Sequence, residues 1–215
     1  MSRQAQLSIK RLLDVTASCV ALTALSPLLV FIAVLVKLES EGPIFFVQER
    51  IGLRATTFRM RKFRTMQAGA ENAGSGLYVG SRDPRITRVG KWLRRFSLDE
   101  LPQLAHVITG QMSMVGPRPA LPYQLQYYTP QDQKRLLVRP GLTGWSQVNG
   151  RNQVSWPSRL ERDVWYVEHF SLALDLKILL RTPVVLLSGE GLYGPRENFF
   201  FTGRDDLPVP TVRTE

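Results

Sequence analysis

The chain has 215 residues, enough for one well-packed core with appendages, and a formal charge of +10 that calls for an anionic partner. A single cysteine, Cys19, lies in an apolar run; it excludes an intrachain disulfide framework and reads as a small hydrophobe in a reducing compartment. Fourteen prolines and sixteen glycines imply many irregular connections.

Leu12 to Val36 is a 25-residue run whose one charge is Asp14, long enough to span a hydrocarbon core of about 30 Å. It shows no convincing signal-peptide cleavage site. Ser26-Pro27 sits at its middle, where proline removes a helical hydrogen bond and a serine hydroxyl offsets the loss by satisfying a nearby carbonyl. A sharp bend there leaves two limbs too short to cross. Arg3, Lys10 and Arg11 precede the run, and Lys37 and a basic domain follow it. Basic flanks stay cytoplasmic, which favours a re-entrant helix over a kinked spanning one. The expected organisation is a basic flank and membrane helix over 1–41, a cytoplasmic catalytic domain over 42–189 and a tail over 190–215.

After Gly42-Pro43, Ile44 to Val47 is a short β-prone run, and a turn near Ile51-Gly52 pairs it with Thr56 to Met66. The alternation of Phe58 and Met60 with Arg59 and Arg61 slips before Phe63, which predicts a bulge or the strand's end. Arg50 to Arg64 carries six Lys/Arg and no acid, a solvated face or a lipid-headgroup contact. Lys62 and Arg64, in KFRTM, are also suited to reach a substrate diphosphate. Gln67 to Ser81 reads as a flexible connection with a lid's composition, and Asp83-Pro84 as the start of a helix burying Ile86, Val89, Trp92 or Leu93, and Phe96.

Ser97-Leu98-Asp99-Glu100 fits a helix-start capping box, with Phe96 stapled onto Leu101. Taken alone it is a cap. Its surroundings add chemistry, because Arg82 to Arg95 holds six Lys/Arg against one acid and ends in Arg94 and Arg95 beside the carboxylates. A helix's amino end favours an ionised Asp99 available as a nucleophile, with Glu100 holding a divalent cation. Pro102 tightens or shifts the helix start, and Gly110 ends the helix. In Gly116-Pro117-Arg118-Pro119 the prolines stiffen the loop that presents Arg118, for a phosphate or merely as a rigid turn.

Tyr123 to Leu137 reads as a polar helix broken at Thr129-Pro130, and Arg139 to Trp145 as a Gly-rich loop entering a strand around Ser146 to Val148. Arg139, Gln147, Asn149 and Arg151 are either turn chemistry or contacts to a nucleotide or sugar. Arg159 to Phe170 and Leu172 to Leu187 are helical; the second is apolar, compatible with bilayer contact or with core packing. Asp175 within it needs a basic partner or the site's cation. His106 and His169 are isolated and structural. The fold expected is α+β, mostly helical, with interfacial amphipathic helices and a small β-hairpin.

KFRTM, SLDELPQL, MSMVGPRP and RPGLTGWSQVNGRN, in this order after a Ser-Pro-broken apolar segment, resemble the bacterial sugar transferase family, the monotopic phosphoglycosyl transferases, over about residues 8 to 187. The resemblance implies transfer of a sugar phosphate from a UDP-sugar to a polyprenol phosphate with release of UMP, at the cytoplasmic face of a bacterial inner membrane, as the first step of glycoconjugate assembly. Asp99 and Glu100 match the family's dyad, Ser26 and Pro27 its membrane-helix break, Pro117 to Pro119 its Pro-Arg-Pro motif and Arg94 a phosphate-binding arginine. The reaction implied is two-step through a phosphosugar-aspartyl intermediate on Asp99, with Mg2+ held by Glu100 and Asp99. The chain resembles the small form, without the extra spanning bundle of long members. Neither the sugar nor the oligomeric state follows from the motifs. The rival, a membrane-anchored basic module binding nucleic acid or anionic lipid, calls for base-stacking aromatics interleaved with the cations. Phe58 and Phe63 alone do not supply them, so nucleic acid is not an expected partner.

Overall fold

In the computed structural model, which describes residues 2–70, 79–189 and 191–199, the apolar run and its basic flank form one helix, α1, Arg3–Glu39. Ser2 caps it by accepting from the Ala5 amide. At 37 residues it is about 55 Å long. The helix runs through Ser26-Pro27 without interruption. Pro27 has no amide to give the Thr23 carbonyl four residues back, and the Ser26 hydroxyl donates to that carbonyl at 2.8 Å.

Helix α1 turns Asp14 and Ser18 inward and leaves many of its apolar residues outside. Asp14, Ser18, Ile32 and Val36 are buried, while Leu12, Leu13, Val20, Val30, Phe31 and Leu38 face outward and are exposed. This reverses the pattern of a surface helix in water. Both limbs are fixed to one body. On the first, Arg3 donates to the Val167 carbonyl, Arg11 caps the carbonyls of Val107 and Ile108, and Asp14 accepts from Ser113 at 2.6 Å. On the second, Ile32 and Val36 pack with Phe63 and Leu93, and the carboxylate of Glu39 accepts the Val89 amide.

A hairpin follows, β1 (Phe45–Ile51) antiparallel to β2 (Thr57–Phe63). The pairing is continuous from Phe45↔Phe63 to Ile51↔Thr57, so the expected bulge is absent. The slip in burial has another cause. Phe58 and Met60 face Val107 and Met112 on one side, whereas Phe63 packs on the other side under α1 and α2. At its end the strand is covered on both faces, and Lys62, in phase with Phe58 and Met60, is left facing the carboxylates.

Helix α2, Arg88–Arg95, starts five residues later than its sequence suggests. The Asp83 carboxylate accepts the amide of Arg85 and pairs with its guanidinium, and Ile86 forms a bridge to Met66, so these residues make a turn. Thr87 is the cap. The expected flexible connection falls mostly on 71–78, outside the described residues. A 3-10 turn, Leu98–Gln103, leads into α3, Leu104–Ile108, which Gly110 terminates at φ +83. His106 is structural: its Nε2 accepts the Arg61 amide and its Nδ1 meets Gln111.

The second sheet is a parallel pair, β3 (Ser113–Val115) with β4 (Gly141–Thr143). The expected strand around Ser146 to Val148 is instead a helical turn, α4, Trp145–Val148. The strand lies earlier because glycines allow backbones to touch: a Cβ on Gly141 would sit 2.1 Å from the Gly116 nitrogen. Tyr123 to Leu137 resolves into two 3-10 segments, Pro122–Tyr127 and Asp132–Leu137. Helices α5 (Trp156–Glu168) and α6 (Leu172–Ser188) complete the core, in which Val115, Val148, Tyr166, Val167 and Ile178 are buried together.

Candidate active site

Asp99 and Glu100 occupy the 3-10 turn before α3. The capping box does not form. Ser97 is left-handed at φ 54 and makes no side-chain cap; its hydroxyl accepts from Arg151 at 3.3 Å. The reason lies with Glu100, whose carboxylate is held by Arg118 at 2.8 and 3.4 Å and so does not reach back to Ser97. Pro102 lacks an amide, which fits the tightening of this first turn. Phe96 rests edge-on against Trp92, at 5.6 Å between ring centres.

The cations come from separate elements and converge. Lys62 comes from β2, Arg50 from β1, Arg94 from the last turn of α2, Arg118 from the loop after β3 and Arg151 from the turn after α4. All of them, with Asp99 and Glu100, line one cavity of about 920 Å³. Among the described residues the Asp99 carboxylate makes no hydrogen bond or ion pair, although it is only 7 % exposed. The Lys62 ammonium and the Arg94 guanidinium likewise form no ion pair there; Lys62 lies over the Phe46 ring at 5.3 Å. Asp99, Lys62 and Arg94 thus stand close enough to feel one another without being closed into ion pairs, whereas Arg118 is closed onto Glu100.

Their electrostatics follow from this. Burial pushes the Asp99 carboxyl above the usual range, and neighbouring Glu100 adds to the shift, while Lys62, Arg94 and Arg118 pull it back. Burial also works against charge on Glu100, but Arg118, with Lys62 and Arg151, holds that carboxylate below its ordinary range. Desolvation lowers Lys62 to about 8, against the attraction of Asp99, and lowers Arg50 to about 9, with Arg118 pushing the same way.

The arginine loop is pinned from behind. Pro117 and Pro119 offer their carbonyls to the Gly141 amide and to Arg50, at 2.9 and 3.0 Å. The Arg118 carbonyl accepts from Arg135 at 2.8 Å. Arg135 is itself buried against Asp163 at 2.6 Å and against the Tyr128 hydroxyl, and Asp163 also accepts from Ser146. With its main chain held, Arg118 is free to direct its guanidinium at Glu100.

Other candidates lie elsewhere. Arg64 borders the cavity, but its guanidinium caps the carbonyls of Val36, Ser40 and Glu41 at the end of α1. Arg139 holds the Gly110 carbonyl, and Asn149 bonds the Trp145 carbonyl and Arg181; neither lines the cavity. Asp175 pairs with Lys10 at 2.6 Å and accepts from Tyr166, so its partner is a basic residue and not the site's cation. Gln147 lines the cavity with its amide tied to the Leu142 carbonyl. Arg50, not singled out from sequence, pairs with Phe58 across the hairpin and so shares a face with Lys62; strand alternation combined with the turn position contains that signal. Arg135 and Asp163 carried no local signal.

Among the described residues no group of three or more His, Cys, Asp or Glu is placed to hold a metal. Two adjacent carboxylates at an open cavity nevertheless fit a hard divalent ion of the kind completed by substrate phosphate oxygens and water.

The family model of the bacterial sugar transferases matches residues 5–189. An uncharacterized sugar transferase, EpsL of Bacillus subtilis, is 44% identical over 184 residues, covering 86% of this chain and 90% of the relative. The exopolysaccharide production protein ExoY of Sinorhizobium fredii is 42% identical, with 83% and 86% covered. The undecaprenyl-phosphate glucose phosphotransferase of Komagataeibacter xylinus is 41% identical over 80% of this chain and 35% of its own length. The chain belongs to the bacterial sugar transferase family, and by class it is an enzyme, a phosphoglycosyl transferase.

Proposed function

We propose that the chain transfers a sugar 1-phosphate from a UDP-sugar to a polyprenol phosphate, undecaprenyl phosphate in bacteria, and so initiates assembly of a glycoconjugate such as an exopolysaccharide. The observation that carries this reading is the Asp99 carboxylate, buried among cations and, among the described residues, without a hydrogen-bond or ion-pair partner, in a cavity of nucleotide-sugar size.

Lys62, Arg94, Arg118 and Arg151 bind and orient the diphosphate. An Asp99 oxygen attacks the sugar-bearing phosphorus, the bridging P–O bond breaks towards the uridine side, and UMP leaves with that electron pair. The sugar phosphate remains on Asp99 as an acyl phosphate. A phosphate oxygen of the polyprenol phosphate then attacks the same phosphorus and releases the aspartate. Glu100 keeps Arg118 aimed across the site until the donor arrives. Mg2+, which Glu100 and Asp99 would hold, supplies charge neutralisation on the diphosphate.

The two limbs of α1 support a membrane path that enters and leaves on one side. Arg3 to Ser18 and Leu28 to Glu39 both pack on the body that contains the site. The stretch between them, 19–27, covers only about 13 Å, far short of a core of about 30 Å. We therefore assign α1 to the cytoplasmic leaflet of the inner membrane as a re-entrant, monotopic anchor. A tag at Ser2 is then protected from reagents in the periplasm; labelling from that side overturns the assignment.

The reaction is tested by UMP release from a panel of UDP-sugars with undecaprenyl phosphate and Mg2+. Asp99→Asn lowers turnover by about 10^3-fold or more and abolishes the acyl-phosphate adduct seen by intact mass when acceptor is omitted. Full activity in that variant rejects Asp99 as nucleophile.

A further inference from the structure

Helix α6 is apolar on two adjoining strips. Leu176, Leu180, Val184 and Leu187 are more than half exposed, and Leu179, Pro183 and Leu186 line the cavity that holds Asp99. Each residue of the inner strip precedes one of the outer strip by a single position, about 100° around the axis, so apolar surface runs unbroken from the cavity to the outside. The helix's charged residues are engaged elsewhere. Asp175 is held by Lys10, Lys177 lies over the Trp145 ring at 5.9 Å, and Arg181 bonds Asn149.

The inner strip ends beside the cations. Arg95 reaches the Ser188 carbonyl at 3.5 Å, tying the end of α6 to the end of α2, and the preceding residue, Arg94, lines the cavity and acts on Asp99. Phe96 and Leu98 line the same cavity. A groove lined by cations and by an apolar strip that continues onto exposed apolar surface fits an amphiphile with an anionic head.

We propose that the groove lined by Leu179, Pro183 and Leu186 of α6 and by Phe96 and Leu98 just after α2 seats the first isoprene units of the lipid acceptor, with its phosphate on Arg94. This rests on the acceptor being a polyprenol phosphate, as in the functional reading above. The chain slides in along the outer strip of α6 from the bilayer, so acceptor and soluble donor approach Asp99 from different sides.

The test uses the full chain in nanodiscs with a polyprenyl phosphate bearing a photoreactive group on its first isoprene units, followed by peptide mapping. Label falls on 178–188, is displaced by undecaprenyl phosphate and is not displaced by excess phosphatidylglycerol. Label confined to α1 or the hairpin, or displaced equally by phosphatidylglycerol, overturns the proposal. Leu186→Gln raises the acceptor KM about tenfold, the scale of one lost leucine contact, with the donor KM moved less than twofold; both rising together, or neither, also counts against the groove. Wild-type protein that releases no UMP with any polyprenyl phosphate removes the functional reading, whereas normal turnover with label elsewhere removes only the groove.

Discussion

Two charged clusters, one under α1 and one in the cavity, use the same residue types to opposite ends. Beneath α1, Lys10 bridges Asp175 at 2.6 Å and lies 3.7 Å from Asp14, while Ser113 donates to the same Asp14 oxygen and Tyr166 to the other Asp175 oxygen. Each acid there has a partner, and the cluster ties the anchor to β3, α5 and α6. In the cavity Arg50, Lys62, Arg94, Arg118 and Arg151 stand about Asp99 and Glu100, and Asp99, Lys62 and Arg94 are left outside any ion pair among the described residues. Buried charge is stable when satisfied and costly when it is not. The first cluster therefore holds the fold, and the second is balanced only when an anionic substrate arrives.

The sharpest way to break the contrast is to remove one cation from each. Lys10→Met leaves two acids without their cation and costs about 3–5 kcal/mol, as for one partner of a buried pair, so the thermal midpoint falls by roughly 6–20 °C. Lys10→Met with Asp175→Asn recovers much of it, because the charge left behind is also gone. Lys62→Met has the opposite signature: UMP release falls about 10^2-fold or more while the midpoint is unchanged or higher, since folding desolvates this ammonium. A large loss of stability in Lys62→Met would dissolve the distinction.

Acidity gives the same contrast without mutation. Lys62 titrates at about 8 in the folded chain against an ordinary 10.5. As pH rises through about 8 the site loses this charge and turnover falls. Between 8 and 10.5 the unfolded chain binds more protons at this position than the folded one, so the Lys62 contribution to stability rises with pH over that window. Activity and this stability term move in opposite directions, and Lys62→Arg, which stays charged, carries the alkaline limb of the rate profile upward.

Much of the cavity was legible because its residues announce themselves in short segments. Asp99 and Glu100 stand next to each other, and Arg94 and Arg118 sit in local contexts that restrict where they point. The hairpin followed from two β-prone runs about a turn, helices α5 and α6 from helical spacing, and the end of α3 from Gly110. What was hidden depends on pairing across the chain. Arg64, two residues from Lys62, reads like a second ligand for phosphate, but it lies past the last residue of β2, and its guanidinium goes to the carbonyls at the end of α1. The capping box failed because Arg118, eighteen residues on, takes the Glu100 carboxylate. Asp163 and Arg135 meet across 28 residues, and the glycine contact that moves β4 forward depends on Gly116 and Gly141 lying back to back.

The smallest effect expected is at Ser26. Its hydroxyl donates to the Thr23 carbonyl, the acceptor that Pro27 leaves without an amide. In water that carbonyl would find solvent at little cost; within hydrocarbon it has no other donor. Ser26→Ala therefore costs about 0.5–1.5 kcal/mol, the worth of one ordinary hydrogen bond, when the chain is in a bilayer nanodisc, and less in a short-chain detergent that admits water to the mid-helix. Pro27→Ala restores the amide, and in the double variant the serine substitution no longer matters. If Ser26→Ala destabilises equally in bilayer and detergent, the Ser-Pro pair lies outside the hydrocarbon, and the anchor rests on the surface without dipping into it.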